Sequence, residues 1–242
     1  MEFNDYPKMS IATDVVIFAV EDIKTDDNRK VPEKGIQVLL LRRNLDCFTG
    51  KWSLPGGFVD IDKDIYEAAK DKLLLKTGIN NLYMEQLYTY GNPNRDPRGR
   101  VVSVAYMSLV EKKNVNMHDA MWFWVVPKRD ENGTVVDVCF ESEDRRYATR
   151  DLAFDHINIV IDAFNRIQNK VEYTDIAFNL LPSQFTVKEL EMVYQCIVGH
   201  KIQGFRRKMG DKIITTQIMK DDGSAHRPAE YYQYNKNHTQ KF

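Results

Sequence analysis

The sequence predicts an α+β protein built from two modules, and three observations carry that reading. Segments rich in β-branched and aromatic residues recur through the first two thirds of the chain. Two helix-length stretches interrupt them, and after Gln168 strands give way to short helices followed by a strand pair. At 242 residues, 43% hydrophobic and 11% aromatic, the chain can supply a core for each module.

Taken in order, IATDVVIFAV (11–20) and IQVLLLRR (36–43) read as strands, joined by the charged hairpin connection EDIKTDDNRKVPEKG. Further strands are expected at LYMEQLYTYG (82–91), RVVSVAYMSL (100–109), MWFWVVP (121–127) and TVVDVCF (134–140), the last two joined across a turn containing Asn132-Gly133. One helix is expected over about 63–77, where no breaker intervenes. Another, near 154–169, would place Ile157, Val160, Ile161, Phe164 and Ile167 on one apolar face. The change of character sets a boundary near 169–180, giving domains 1–170 and 171–242. In the second, Leu190, Val193, Tyr194 and Ile197 make an apolar stripe with Thr186 as N-cap and Gly199 as stop. KIQGFRRKMGDK adds a short helix, and KIITTQIM, DDGSAHRPA and EYYQYN read as strand, turn and strand. Two helices followed by a β-hairpin is the outline of a winged helix-turn-helix.

Charge is unevenly spread. Residues 180–242 hold 10 Lys+Arg against 6 Asp+Glu, while residues 1–179 hold 24 against 29, so only the C-terminal module favours a polyanion. Cys47, Cys139 and Cys196 are odd in number and far apart, which argues against a disulfide framework or a C-x-x-C site and fits a reducing cytoplasm. The stretch MEFNDYPKMS has no apolar secretory core, and no segment approaches the roughly 18 apolar residues of a membrane span, so no membrane partner is expected.

The segment WSLPGGFVDIDKDIYEAAKDKLLLKTGI (52–79) carries the most chemistry. Its frame resembles the Nudix box, G-x5-E-x7-R-E-U-x-E-E-x-G-U, with Gly57, Leu73, Gly78 and Ile79 in register. The functional letters differ: Lys63 stands for the first Glu, Asp71 for Arg, Lys72 for Glu, and Leu75 and Lys76 for the Glu pair. In such enzymes carboxylates on one helix face hold divalent cations that neutralise a pyrophosphate under attack by water. Two ammonium groups and an isobutyl group offer such a cation no ligand, so no catalytic residue, metal or cofactor is expected here. Glu67 and Asp71 read as partners for Lys63 and Lys70 rather than as metal ligands. The acidic loop Asp60-Ile61-Asp62 reads as a helix cap.

The following NPNRDPRGRVVSVAY (92–106) resembles the region after the box in Nudix proteins that handle ADP-ribose-like compounds. It brings Arg95, Arg98 and Arg100 to a Pro-bounded turn, and arginine forks suit phosphates and sugar hydroxyls. The C-terminal FNLLPSQFTVKELEMVYQCIVGHKIQGFRRKMGDK and GSAHRPAEYYQYN are similar to the winged-helix module of the Nudix-related transcriptional regulators, the NrtR-like group with its sugar-responsive, AraR-like members. The resemblance covers about residues 10–235. It implies a Nudix-type mixed β-sheet sandwich between helices, then a C-terminal winged helix.

The expected function is a ligand-responsive, DNA-binding regulator with a non-catalytic Nudix domain. Its effector pocket would be lined by Trp52, Lys72, Lys76, Arg95, Arg98 and Arg100. Lys72 and Lys76 are like charges one turn apart, which motivates a phosphate-bearing effector such as ADP-ribose; a neutral sugar such as arabinose stays open. On the DNA side, Phe205 would anchor the second helix while Arg206, Arg207 and Lys208 face outward, with Lys212 beside them. His226 and Arg227 would reach the backbone or minor groove from the wing, and Pro228, Tyr231 and Tyr232 would shape it. A homodimer reading two half-sites is expected, because one short helix binds weakly in salt. The alternative is a Mg²⁺-dependent ADP-ribose hydrolase that recruits Asp60, Asp62, Glu67 or Glu85. A scaffold for protein interactions is a third reading.

Overall fold

The computed structural model describes residues 5–24, 32–44, 47–79, 82–112, 119–142, 146–147, 151–220 and 228–238. The middle of the 21–35 connection and the wing turn carrying His226 and Arg227 lie outside these residues. The chain divides into two compact units, one of Met1–Phe18, Gln37–Ser108 and Lys113–Arg166, the other of Ala19–Ile36, Leu109–Lys112 and Ile167–Phe242.

The long strands fall where their composition places them. β1 (Ser10–Asp22) and β2 (Lys34–Arg42) are buried along nearly their whole length, as strands covered on both faces require, hence their near-continuous apolar runs. They occupy the middle of a sheet ordered β5-β6-β1-β2-β7-β8-β9, with β5 at Glu85–Tyr90, β6 at Val101–Val110, β7 at Ala120–Arg129, β8 at Val135–Glu141 and β9 at Arg146–Tyr147. Two short strands, β3 (Trp52–Ser53) and β4 (Gly56–Phe58), pair antiparallel with β2 and β1. The β7–β8 turn is set by Asp130, whose side chain accepts from the N–H groups of Asn132 and Thr134, and by Gly133 at φ 82°.

Helix α1 (Ile65–Thr77) starts at Asp64, whose carboxylate accepts from the Tyr66 N–H, and ends at Gly78 in the left-handed region, φ 70°. The cap is therefore Asp64 and not the Asp60–Asp62 loop, because Asp60 is occupied by Lys72 at 3.3 Å. Lys63 pairs with Asp71 and Lys70 with Glu67. The helix buries only Ala68, Ala69, Leu73 and Thr77 and leaves Leu74 and Leu75 exposed. Helix α2 (His156–Lys170) buries His156, Ile159, Val160, Ala163, Phe164 and Ile167. Val160, Phe164 and Ile167 are buried as expected, Ile157 and Ile161 are half-buried on the flank, and His156, Ile159 and Ala163 complete the buried side.

A buried polar network ties these elements together. Asp14 on β1 accepts from Ser103 Oγ at 2.6 Å and lies 3.2 Å from Arg95 and from His156 Nε2. Arg95 also forks onto Asp155 at 2.9 and 2.7 Å. The Leu54 N–H donates to His156 Nδ1 at 2.9 Å, which leaves Nε2 as the nitrogen that donates to Asp14. Burial opposes the Asp14 charge, yet His156, Ser103 and Arg95 outweigh it and hold the carboxyl well below the usual carboxylate range. Gly56 is required beside it, since a Cβ there would lie 2.1 Å from the Thr13 carbonyl oxygen.

The second unit contains a compact winged helix. A 3-10 turn (Ile176–Leu180) and β10 (Phe185–Thr186) lead into α3 (Val187–Val198), α4 (Phe205–Met209) and the hairpin of β11 (Ile213–Lys220) and β12 (Ala229–Tyr234). The sheet order is β10-β12-β11. Leu190, Val193, Tyr194 and Ile197 form the buried stripe of α3, and Tyr194 meets Phe205 edge-on at 5.1 Å. Thr186 and Glu189 exchange a capping box, and Gly199 ends α3 at φ 82°. The 3-10 turn and β10 add to the expected two helices and hairpin; both are too short to leave a periodic signal.

These networks set the stability of each unit. Arg95→Ala strands two carboxylates and is expected to cost about 3–5 kcal/mol in urea unfolding, whatever it does to ligand binding. Thr186→Ala is expected to cost about 1 kcal/mol. Burial disfavours the Glu189 charge, but Lys220 and Thr186 more than offset it, so its pKa lies below the ordinary 4.5. Its contribution is complete above that value and is lost as pH falls through the lowered one; unfolding curves of Glu189→Gln should lack that acid-side loss.

Candidate functional site

The first unit carries an open cleft of about 720 Å³ lined by Phe48, Tyr88, Tyr90, Asn92, Asn94, Phe154, Asp155 and Asn158, among others. Its walls come from the β2–β3 loop, from β5 with the loop after it, and from the segment entering α2. Two hydrogen bonds close the β2–β3 loop, Arg43 N–H to the Lys51 carbonyl and Gly50 N–H to the Arg43 carbonyl. The Ala153 N–H donates to the Trp52 carbonyl at 2.8 Å, which holds the second loop beside the first.

The tips of both loops are unusual. Phe48 and Phe154 sit in the left-handed region at φ 63° and 54°, and their rings meet edge-on at 4.9 Å. A bulky residue there costs of order 1–3 kcal/mol and persists only where its surroundings impose it, a condition met mainly at functional sites. Cations cover both rings: Lys51 lies 5.3 Å from the Phe48 ring, and Arg43 and Arg98 lie 4.7 and 5.3 Å from that of Phe154. Arg98 is also 5.2 Å from the Phe58 ring and forks onto Asp96.

Lys72 and Lys76 stand on α1 beside this cluster. The Lys72 stem lies against Gly57, where its Cδ would be 3.4 Å from an added Cβ, and its ammonium faces Asp60. Although Lys76 is exposed along part of its length, its ammonium turns inward and donates to the Gly56 carbonyl. Burial, then Arg43 and Lys72, lower its pKa; burial and Arg98 lower that of Arg43. Arg43, Arg98, Lys72 and Lys76 therefore act electrostatically as one cluster.

Of the six residues expected to line a pocket, the structure brings Lys72, Lys76 and Arg98 together and uses the others structurally. Trp52 is buried edge-on against Phe123 at 4.6 Å and belongs to the core. Arg95 reaches the cleft wall, but its guanidinium is taken by Asp14 and Asp155. Arg100 donates to the Gly91 carbonyl at 2.7 Å and braces the cleft rim. Arg43, Phe48, Tyr88, Tyr90 and Phe154 escaped the sequence reading. The only signal was the aromatic and cationic content of RRNLDCFTGKW, which acquires meaning once Phe154 arrives from a distant part of the chain.

A divalent cation does not fit α1. The helix face that would hold it presents Lys72, Leu75 and Lys76, and Lys76 occupies the nearest backbone carbonyl. Asp60 faces Lys72, Glu67 faces Lys70, and Glu85 lies 3.5 Å from Arg166. Among the described residues, no group of three or more His, Cys, Asp or Glu side chains is placed to hold a metal ion. Among them, also, no helix is long and apolar enough to cross a membrane.

On the winged helix, Phe205 anchors α4 as expected, and Arg206, Arg207 and Lys208 lie on its exposed side. Two of the expected DNA contacts also have partners within the module. Arg206 donates to the Tyr232 hydroxyl at 2.6 Å and lies 5.0 Å from that ring, so it braces α4 against the hairpin. Lys212 pairs with Asp175 at 2.8 Å, inside the module. Tyr232 is buried in the wing sheet, while His226 and Arg227 lie outside the described residues.

Comparison with known proteins agrees with this architecture. The NUDIX domain model matches residues 23–139 and the NrtR DNA-binding winged helix domain model residues 177–234. The ADPR responsive transcriptional repressor NtrR of Acinetobacter baylyi is 32% identical over 238 residues, 96% of this chain and 84% of that protein. An ADP-ribose pyrophosphatase of Methanocaldococcus jannaschii is 36% identical over 75 residues, 31% of this chain and 44% of that enzyme. Among solved structures, Shewanella oneidensis NrtR complexed with a 27mer DNA superposes with a TM-score of 0.68 at 28% identity, covering 93% of each chain. A MutT/nudix family protein from Enterococcus faecalis gives 0.73 at 25% identity, covering 97% and 90%. A β-rich unit with a lysine-substituted Nudix box, joined to a winged helix with a cationic second helix, thus matches one relative along nearly its whole length: the chain belongs to the NrtR family of Nudix-related, DNA-binding transcriptional regulators.

Proposed function

We propose that the protein is a DNA-binding transcriptional regulator whose Nudix unit binds ADP-ribose, or a close nucleotide sugar, as an effector and does not hydrolyse it. The observation that carries this reading is the position of Lys76. Its ammonium ends on the Gly56 carbonyl, on the helix face where a pyrophosphate-cleaving relative would concentrate carboxylates around metal. A binding cleft remains while the machinery for cleavage does not. Recruitment of Asp60, Glu67 or Glu85 is disfavoured because each faces a cation already, and Asp62 stands exposed on its loop.

The chemistry of the cleft suits a nucleotide sugar. Phe48, Phe154, Tyr88 and Tyr90 offer aromatic faces and edges to a base, and Asn92, Asn94, Asn158 and Asp155 offer donors and acceptors to ribose hydroxyls. Lys72, Lys76 and Arg98 offer charge to phosphate. The names of the Acinetobacter repressor and of the archaeal pyrophosphatase both carry ADP-ribose, which favours it over a neutral sugar.

Arg207 and Lys208 on α4 meet DNA phosphates or base edges, and His226 and Arg227 of the wing join them. A homodimer on two half-sites supplies the affinity that one short helix lacks. An effector that prefers one of two arrangements of the protein biases DNA binding. The three cysteines are free thiols, in keeping with work in a reducing cytoplasm.

Fluorescence anisotropy on DNA from upstream of the protein's own gene should show competitor-resistant binding that ADP-ribose shifts and arabinose does not. A shift by arabinose alone would replace the effector, and release of AMP from ADP-ribose in Mg²⁺ would restore the hydrolase. Arg207→Ala with Lys208→Ala should weaken binding on every sequence and reduce the log–log salt slope by about 0.9 for each phosphate left unneutralised. An unchanged slope would move the DNA-binding surface off α4.

A further inference from the structure

We infer that Arg43 and Lys76 take the place of the divalent cation, each neutralising one phosphate of a bound pyrophosphate diester, so that effector binding needs no metal. The inference rests on the effector reading above and adds to it a residue, Arg43, and a charge mechanism.

The four cations of the cluster are unequally compensated. Lys72 faces Asp60 and Arg98 is forked onto Asp96, so each has a carboxylate partner. Arg43 and Lys76 do not: Arg43 Nε donates to the Cys47 carbonyl at 2.9 Å and Lys76 Nζ to the Gly56 carbonyl. Among the described residues, those carbonyls are the only hydrogen-bond acceptors of these two side chains. Asp96 and Asp14, the buried carboxylates that act on them from farther off, are engaged by Arg98 and by Arg95, His156 and Ser103. Among the described residues, Arg43 and Lys76 are thus two cations without a carboxylate in contact, and a pyrophosphate diester carries one negative charge on each phosphate.

Position supports the same assignment. Arg43 lies over the ring of Phe154, and Phe154 lines the cleft proposed for the nucleoside, so the charge stands at the edge of the base and ribose site. The Nε bond to Cys47 fixes the guanidinium plane and leaves its terminal nitrogens for a bidentate contact with phosphate oxygens. Lys76 reaches the site from α1; burial first, and neighbouring cations second, lower the pKa of both groups. The strain at Phe48 and Phe154 holds the cationic and aromatic parts together before the ligand arrives. A divalent ion would have to enter against this charge.

The test is calorimetry on the full-length protein, with ADP-ribose and with inorganic pyrophosphate as separate probes, each in EDTA and in MgCl₂. ADP-ribose should bind in EDTA about as well as in MgCl₂. Arg43→Gln and Lys76→Gln should each weaken it about tenfold or more, the effect expected of removing one charge-assisted hydrogen bond. Arg43→Lys keeps the charge without the fork and should fall between, and unchanged melting of the unliganded variants would show that the fold is retained. Binding of ADP-ribose only with Mg²⁺, or equal binding by wild type and both Gln variants, would overturn the inference and leave the effector reading standing. Binding of pyrophosphate but not ADP-ribose, with the same dependence on Arg43 and Lys76, would uphold the inference and remove that effector. Failure of both probes to bind would overturn both.

Discussion

The geometry of the first unit depends on one buried charge. Asp14 lies on a strand covered on both faces, and a carboxylate there is tolerable only if donors surround it. Those donors come from three places distant in sequence: Arg95 after β5, Ser103 on β6 and His156 at the start of α2. Each is fixed in turn, His156 by the Leu54 N–H and Arg95 by Asp155. Satisfying one charge therefore sets the approach to the box glycines, the loop after β5 and the entry to α2. Phe154 immediately precedes Asp155 and His156, so the partners of Asp14 also impose its left-handed backbone. The cleft wall is preorganised by a network whose centre, Asp14, lies beneath it, which reduces the ordering that binding would otherwise require.

Helix α1 shows how the frame of the box is held independently of its outer face. A carboxylate-lined face needs a cation to offset its self-repulsion; here the signs are reversed, and neighbouring acids do the offsetting. Lys63 is held by Asp71 and Lys72 by Asp60, while Lys76 lacks a carboxylate and settles for a backbone carbonyl. The helix stays in place through Ala68, Ala69 and Leu73 beneath it, and through Asp64 and Gly78 at its ends, none of which the chemistry requires. The residues that hold this helix in place are thus separate from those on its outer face, which here presents Lys72, Leu75 and Lys76.

Much of this was legible in the sequence, because periodicity and caps are local. The long strands, α1 and the α3 stripe with Thr186 and Gly199 could all be read from spacing. The stripe of α2 was read in part: Val160, Phe164 and Ile167 are buried, while His156, Ile159 and Ala163 join them for tertiary reasons. The site was harder, since a guanidinium's role depends on what lies opposite it. Arg95 and Arg98 stand three residues apart in one turn, yet one is absorbed by a buried aspartate network and the other lies over aromatic rings at the cleft. Nothing local distinguishes them. Phe48 and Phe154 were likewise invisible, because neither a left-handed backbone nor a ring contact across 106 residues leaves a trace in composition.

On the winged helix, too, position on a short basic helix did not determine use. FRRKM supplies three cations in one turn, but Arg206 is bent onto Tyr232, whose hydroxyl donates to Glu230, and this brace fixes α4 against β12. Lys212 is similarly engaged by Asp175. A guanidinium bonded to a neutral hydroxyl keeps its full charge, whereas the Lys212 ammonium is paired with a carboxylate. A helix of five residues has little stiffness of its own. The Arg206–Tyr232–Glu230 chain therefore orients the neighbours of Arg206, in the way that Asp14 orders the cleft from beneath it.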